Sequence, residues 1–200
     1  MTNRERILQI SYDHKLSHVG SCLTALGIIE EIYAKKKPEE KVVVSSGHAH
    51  LAHAVVQESN GAISSAEENI QNWGIHCDRR GGCDSSTGSL GQGLPIAVGM
   101  ALADRDKNTY VLVSDGEMAE GSCWEALRIA KEQNLTNLKI YLNANGWGAY
   151  DPIDIDDLEK RIKAFGFPVE IERTNSDLPF AKGQASHYKV MSEEDYESEK

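Results

Sequence analysis

Asp115 and Asn145 are the residues of this chain whose types and positions point most directly to shared chemistry. Asp115 lies in the run Val113-Ser114-Asp115-Gly116-Glu117-Met118-Ala119-Glu120-Gly121. Residues 109–114 before it are β-branched and apolar and end in Asp-Gly, which predicts a buried strand. Residues 122–134 read as a helix, with Ser122 and Glu125 spaced as a capping box. Residues 138–143 read as the next strand. Elements of these lengths predict a βαβ unit with parallel strands. Asp115 and Asn145 then both emerge at the carboxyl edge of the sheet, where open α/β folds bind their ligands. Two oxygen donors there suit one divalent cation, Mg²⁺ or Ca²⁺ rather than zinc, and such a cation can hold a diphosphate. Gly116 would let a phosphate oxygen approach the backbone. Taken alone, the same residues also fit an ordinary Asp-Gly turn and a loop asparagine.

The remaining elements must position these groups. Residues 2–15 and 23–36 read as helices, the second with Leu26, Ile29 and Tyr33 on one stripe. Residues 41–45 form a short β-branched strand with Gly47-His48 at its end. Helices follow at 49–58 and 64–73, the latter with Ser65 and Glu68 as a capping box. Residues 74–93 make a glycine-rich loop, and a loop that long in a compact domain is usually functional. Residues 92–104 read as a buried helix, and a helix near 156–165 and a strand at 168–172 close the pattern. Gly88-Ser89-Leu90-Gly91-Gln92-Gly93 has neither the preceding strand nor the glycine order of a dinucleotide site.

Composition narrows the function classes. At 200 residues, with no repeat or linker, the chain reads as a single domain over 1–200 with a sizeable core. A net charge of −10 argues against nucleic acid as a partner. The acidic runs 151–159 and 193–199 read as solvated. No apolar run approaches the ~20 residues needed to span a bilayer, and no signal peptide is visible, so a cytoplasmic protein without a membrane partner is expected. Cys22, Cys77, Cys83 and Cys123 lack the pair spacing of a zinc site and read as reduced thiols. The i, i+2, i+5 spacing of His48, His50 and His53 does not align three imidazoles on one helix face, so no zinc cluster is expected there.

The Asp115 segment, with Asn145 one helix and one strand later, resembles the thiamine diphosphate signature of the transketolase family. Further segments resemble that family in the same order: His18-Val19-Gly20-Ser21, Ser45-Ser46-Gly47-His48-Ala49, His76-Cys77-Asp78-Arg79-Arg80, Ser85 through Gly93, Trp124-Glu125-Ala126, and Ser186-His187-Tyr188-Lys189. The resemblance implies a three-layer αβα fold with a mostly parallel central sheet. It implies Asp115, Asn145 and the backbone carbonyl of Trp147 as ligands of Mg²⁺ (or Ca²⁺). It places His48, Gly88, Ser89, Leu90, Gly116, Glu117 and His187 against thiamine diphosphate. His18, His48, His76 and His187 would act on cofactor and sugar, imidazole being able to donate or accept near neutral pH. Glu120 would touch a carboxylate of a neighbouring polypeptide.

The domain that holds the aminopyrimidine ring in transketolases is absent from this chain. The resemblance therefore implies an N-terminal, diphosphate-binding (PP-type) subunit of a split transketolase, with a C-terminal partner subunit carrying the pyrimidine domain, in an α₂β₂ assembly or around a homodimer core. The activity implied is transfer of a two-carbon ketol unit from a ketose (phosphate) to an aldose (phosphate). The alternatives are a non-standard ketol or acyl donor, or a non-catalytic paralogue. Ser114 replaces the first glycine of Gly-Asp-Gly, Asn143 replaces an aspartate, Cys77 replaces a proline, and the loop from His76 to Gly88 is short. A piece on the order of 40 residues, about one αβ unit, is missing before the tail. The sheet is thus expected to be truncated near the C-terminus, with 173–200 an irregular tail.

Overall fold

Four short strands form one sheet in the order β1 (Lys41–Val44), β2 (Thr109–Ser114), β3 (Leu138–Ala144) and β4 (Glu170–Arg173), and every pairing is parallel. The computed structural model describes residues 1–199; Lys200, the end of the domain expected over 1–200, lies outside the described residues. All six residues of β2 are buried, as a central parallel strand covered on both faces must be. Side-chain alternation along the strands feeds two cores. Val42, Val44, Tyr110, Leu112 and Tyr141 face helices α1 (Asn3–Asp13), α2 (Val19–Lys35) and α3 (His50–Ser59). Val43, Val111, Val113, Ile140 and Leu142 face α5 (Gly93–Ala103), α6 (Gly121–Glu132) and α7 (Ile155–Phe165). The result is the expected three-layer αβα arrangement. The fourth helix, α4 (Ala66–Trp73), packs outside α3 and is capped by Ser65, which accepts the Glu68 N–H at 3.2 Å. No helix among the described residues is long and apolar enough to cross a membrane.

Three local expectations are corrected. The helix expected from residue 23 begins at Val19, because Val19, Gly20 and Ser21 are buried beneath the returning tail and extend it. The Ser122–Glu125 capping box does not form: Glu120 is the N-cap residue of α6 without a side-chain bond, and Ser122 donates instead to the Gly91 carbonyl at 2.7 Å. The tail is not irregular throughout, since 173–199 contains α8 (Ala185–Tyr188) and α9 (Glu193–Glu197). Leu178 and Met191 join Leu8 and Val19 in a third small core, and Tyr196 stacks on Tyr12 with ring centroids 4.5 Å apart. That apolar patch gives the tail a reason to fold back over α1 and α2.

The chain runs from the edge strand β4 directly into this tail. Arg173 on β4 pairs with Asp156 at 2.5 Å and Glu159 at 2.8 Å, and charged side chains of this kind blunt an exposed strand edge.

Candidate active site

At the carboxyl edge of the sheet lies a crevice of about 210 Å³. Its walls come from five separate stretches of chain: the start of α2, the end of β1, the glycine-rich loop, the ends of β2 and β3, and α8. Among the residues singled out from the sequence, His18, His48, His76, Gly88, Leu90, Gly116, Asn145, Trp147 and His187 line it. Asp115 and Glu117 lie buried beneath its floor, while Ser89 and Glu120 are exposed outside the lining.

Asp115 leaves β2 as the strand ends, and its N–H bonds the Asn143 carbonyl of β3 at 3.0 Å. Its carboxylate is 1% exposed and accepts the Gly116 N–H at 2.9 Å and the Gly146 N–H at 2.6 Å. Burial pushes its pKa up to about 6 even though the backbone N–H groups of Gly146, Gly116 and Asn145 pull it down. No cationic side chain is among its hydrogen-bond partners. Asn145 turns its Oδ1 back onto the Trp147 N–H at 2.9 Å, which curls the loop. A Cβ on Gly116 would stand 3.2 Å from Gly148 Cα and 3.6 Å from the Trp147 carbonyl oxygen. The loop carrying Asn145 and Trp147 therefore lies against the loop carrying Asp115. A buried carboxylate, an amide oxygen and a carbonyl gathered at one edge, with no positive charge among them, suit a hard divalent cation.

Glu117 is also buried, but it points inward. It accepts hydrogen bonds from Ser45 Oγ at 2.6 Å, Gly91 N at 3.1 Å, and Ser114 N and Oγ at 3.0 and 3.3 Å. Burial raises its pKa, against these four donors. Glu117 thus ties the ends of β1 and β2 to the glycine-rich loop, which is a positioning role. Gly93 leaves no room there either, because an added Cβ would fall 2.5 Å from Ser45 Cα.

The four histidines meet around the crevice mouth. His18 sits in the left-handed region with φ 66°, at the N-cap of α2, and its N–H donates to the His187 carbonyl at 2.7 Å. Strain of this kind in a non-glycine residue is concentrated at functional sites. His18 lies 5.1 Å from His48 between ring centroids, and Ser21 Oγ lies 2.6 Å from His187 Nδ1. Burial, then His18, His187 and His76, hold His48 down to about 3. Burial and then His18 hold His187 at about 4. Burial and then His76 lower His18 as well. These three rings are neutral at pH 7. His18 Nδ1 and His187 Nε2 are buried without a hydrogen-bond partner, and buried orphans of this kind call for a polar ligand.

Residues 34–189 match the model of the transketolase, thiamine diphosphate binding domain. The chain belongs to the transketolase family. It is 30% identical over 191 residues to one half of the apulose-4-phosphate transketolase of Phocaeicola vulgatus, a protein named as a subunit; the match covers 84% of this chain and 68% of that one. It is 32% identical over 188 residues to the 6-deoxy-6-sulfo-D-fructose transketolase subunit SqwG of a Clostridium species, covering 81% and 68%. Against human transketolase it is 34% identical over 214 residues and spans 34% of that protein. The Campylobacter jejuni transketolase structure superposes with a TM-score of 0.68 at 25% identity, over 82% of this chain and 31% of that one. The chain thus spans about a third of the full-length transketolases it matches.

Several transketolase-site neighbours were not legible in the sequence. Asn143, which stands where the family has an aspartate, lines the crevice and bridges two elements: it donates to Thr24 Oγ1 at 2.9 Å and accepts from Thr174 Oγ1 at 2.6 Å. Ser21 positions His187 from the first turn of α2. Neither has a local sequence signal, since both depend on partners from distant parts of the chain.

Proposed function

We propose that this chain is the diphosphate-binding N-terminal subunit of a split transketolase, joined in the working enzyme by a second polypeptide with the pyrimidine domain. The observation that carries this reading is the buried, cation-free Asp115 beside Asn145 and the Trp147 carbonyl, at a crevice rimmed by neutral histidines. A crevice of about 210 Å³ is smaller than the roughly 300–1,000 Å³ of a complete small-molecule pocket, as befits half a site. Two relatives are named as transketolase subunits, and the chain covers 68% of each. An α₂β₂ assembly in the cytoplasm fits the four free, buried cysteines.

In this reading Asp115, Asn145 and the Trp147 carbonyl hold Mg²⁺, and Gly116 leaves room for the phosphate oxygens it bridges. Thiamine diphosphate, when bound, supplies the nucleophilic carbon for moving a two-carbon ketol unit from a ketose to an aldose. Leu90 and Gly88 pack against it, with Glu117 holding their loop in place. His48 and His187 are neutral, so each offers one donor and one acceptor to diphosphate or sugar oxygens without charge. His18 and His76 meet the sugar hydroxyls and carbonyl. Glu120, exposed at the start of α6, is free to meet the partner.

The two subunit relatives are named for an apulose phosphate and a sulfo-sugar, so a non-standard ketose is the second reading for the donor. The test is co-expression with the pyrimidine-domain polypeptide, followed by a ketol-transfer assay with thiamine diphosphate and Mg²⁺. Transfer from xylulose 5-phosphate to ribose 5-phosphate that vanishes in Asp115→Ala supports the standard reaction. Metal-dependent cofactor binding without that transfer points to another donor. Absence of both binding and transfer from a stable complex overturns the proposal.

A further inference from the structure

Away from the crevice, four metal-binding side chains converge between α3 and the loop after α4. His50 and His53 are three apart on α3 and share a helix face. Cys77 and Cys83 flank the single 3₁₀ turn Arg79–Gly81, which returns the second sulfur to the first. One ligand atom from each of the four lies within 4.8 Å of the others, and all four residues are buried. Cys83 Sγ stands 3.6 Å from His50 Nδ1 and 3.7 Å from His53 Nδ1. With Zn–S of ~2.3 Å and Zn–N of ~2.0–2.1 Å, sulfur and nitrogen ligands of a tetrahedral zinc are ~3.6 Å apart.

The far side of each imidazole is already engaged. Asn69 Nδ2 donates to the Gly81 carbonyl at 2.6 Å, which turns its Oδ1 toward His50 Nε2 at 3.0 Å. That nitrogen must therefore carry the proton, and neutral His50 presents a bare Nδ1 to the sulfurs. His53 Nε2 lies 2.9 Å from the Tyr33 hydroxyl. Metal-bound histidines are held in this way, with the distal nitrogen hydrogen-bonded. Hydrogen bonding from Cys77, and then from the two imidazoles, lowers the Cys83 thiol pKa, which favours the thiolate a metal requires.

We propose that His50, His53, Cys77 and Cys83 form a closed, tetrahedral zinc site, structural in role and separate from the Asp115–Asn145 edge. Binding releases the two thiol protons to solvent, and two thiolates then neutralise the dication in the core. All four coordination positions come from protein and all are buried, so no open position remains for a substrate. The site explains why a cysteine follows His76 and why the loop from His76 to Gly88 is short enough to return Cys83. It also reaches the crevice: Cys77 adjoins His76, and the Thr87 N–H bonds the Cys77 carbonyl at 3.1 Å just before Gly88. The ion would pin the loop that presents both residues.

The test uses untagged protein from zinc-supplemented cells. Elemental analysis after extensive dialysis should find one zinc per chain. Cobalt exchanged into the site should give the intense visible bands of tetrahedral Co²⁺ and a sulfur-to-cobalt charge-transfer band. Cys83→Ser and His53→Ala should lose the metal, whereas Cys22→Ser and Cys123→Ser, which change the other two buried thiols, should keep it. Folded wild-type protein with only trace zinc and no charge-transfer band on cobalt titration would overturn the proposal. So would equal metal loss in the Cys22→Ser and Cys123→Ser controls. The cobalt spectrum decides the matter even where ligand variants do not fold.

Discussion

Replacing Asp115 by Asn separates what this residue costs the empty protein from what it does for the loaded one. Its pKa rises from an unfolded value of 3.8 to about 6. At about 1.36 kcal/mol per unit, that displacement amounts to about 3 kcal/mol. The sign is that of an acid whose folded pKa is raised. The folded protein binds the proton more tightly, so stability falls as pH rises from 3.8 to 6 and the full penalty persists above. Asparagine has no such titration. It keeps one of the two N–H bonds made by Gly116 and Gly146 and loses the other, an offset of about 1–1.5 kcal/mol that does not vary with pH. Urea unfolding of both proteins in metal-free buffer, from near pH 4 to pH 8, measures the difference. The stability of Asp115→Asn relative to wild type should grow by about 2–3 kcal/mol and level off above pH 7. With Mg²⁺, thiamine diphosphate and the pyrimidine-domain partner present, the order should reverse, because only wild type gains binding energy. A stability difference that stays constant across this pH range would refute the buried, uncompensated carboxylate on which the metal site rests.

Further outcomes follow from the same geometry. His48 and His187 have folded pKa values lowered to about 3 and about 4, so the stability they allow is full above pH 6.5 and is lost as pH falls below it. Each should contribute a slope of about 1.4 kcal/mol per pH unit, and His187→Gln should flatten the unfolding-versus-pH curve between pH 6.5 and 4. Gly88→Ala would set a Cβ 2.9 Å from His76 Cδ2 at a φ of +152°; displacing that ring should lower ketol transfer by about tenfold, or about 1.4 kcal/mol, with α-helical content unchanged by circular dichroism. Glu117→Gln should destabilise by about 2–3 kcal/mol in chemical denaturation, since an amide NH₂ would have to face one of four converging donors.

The β2–α6–β3 unit was legible because its signals are local. An apolar, β-branched run ending in Asp-Gly leaves little choice of element, and a parallel crossover forces Asp115 and Asn145 to one edge. The motifs around His18, His48, His76 and His187 were equally readable, each in its own short context, and the structure brings all four rings to one crevice. What was not legible depends on contacts between distant segments. The family resemblance puts Glu117 against the cofactor, yet the 3₁₀ turn Gly116–Ala119 turns it beneath the strand ends, where Ser45 and Gly91 meet it. The spacing of Ser122 and Glu125 suggests a cap for α6, but the nearby Gly91 carbonyl takes the Ser122 hydroxyl. The sequence spacing of His48, His50 and His53 argues against zinc, and that argument is sound for those three residues. It misses that a single turn between Cys77 and Cys83 can bring two thiols to His50 and His53.

The central claim is that Asp115 and Asn145 hold a cation that in turn holds a diphosphate. Its most direct measurement is equilibrium binding of thiamine diphosphate to the two-subunit complex, with Mg²⁺ titrated, for wild type and for Asn145→Ala. The account predicts binding that requires Mg²⁺ in wild type and is weakened by about tenfold or more in the variant. Binding of equal strength with and without Mg²⁺, unchanged in Asn145→Ala, would contradict it.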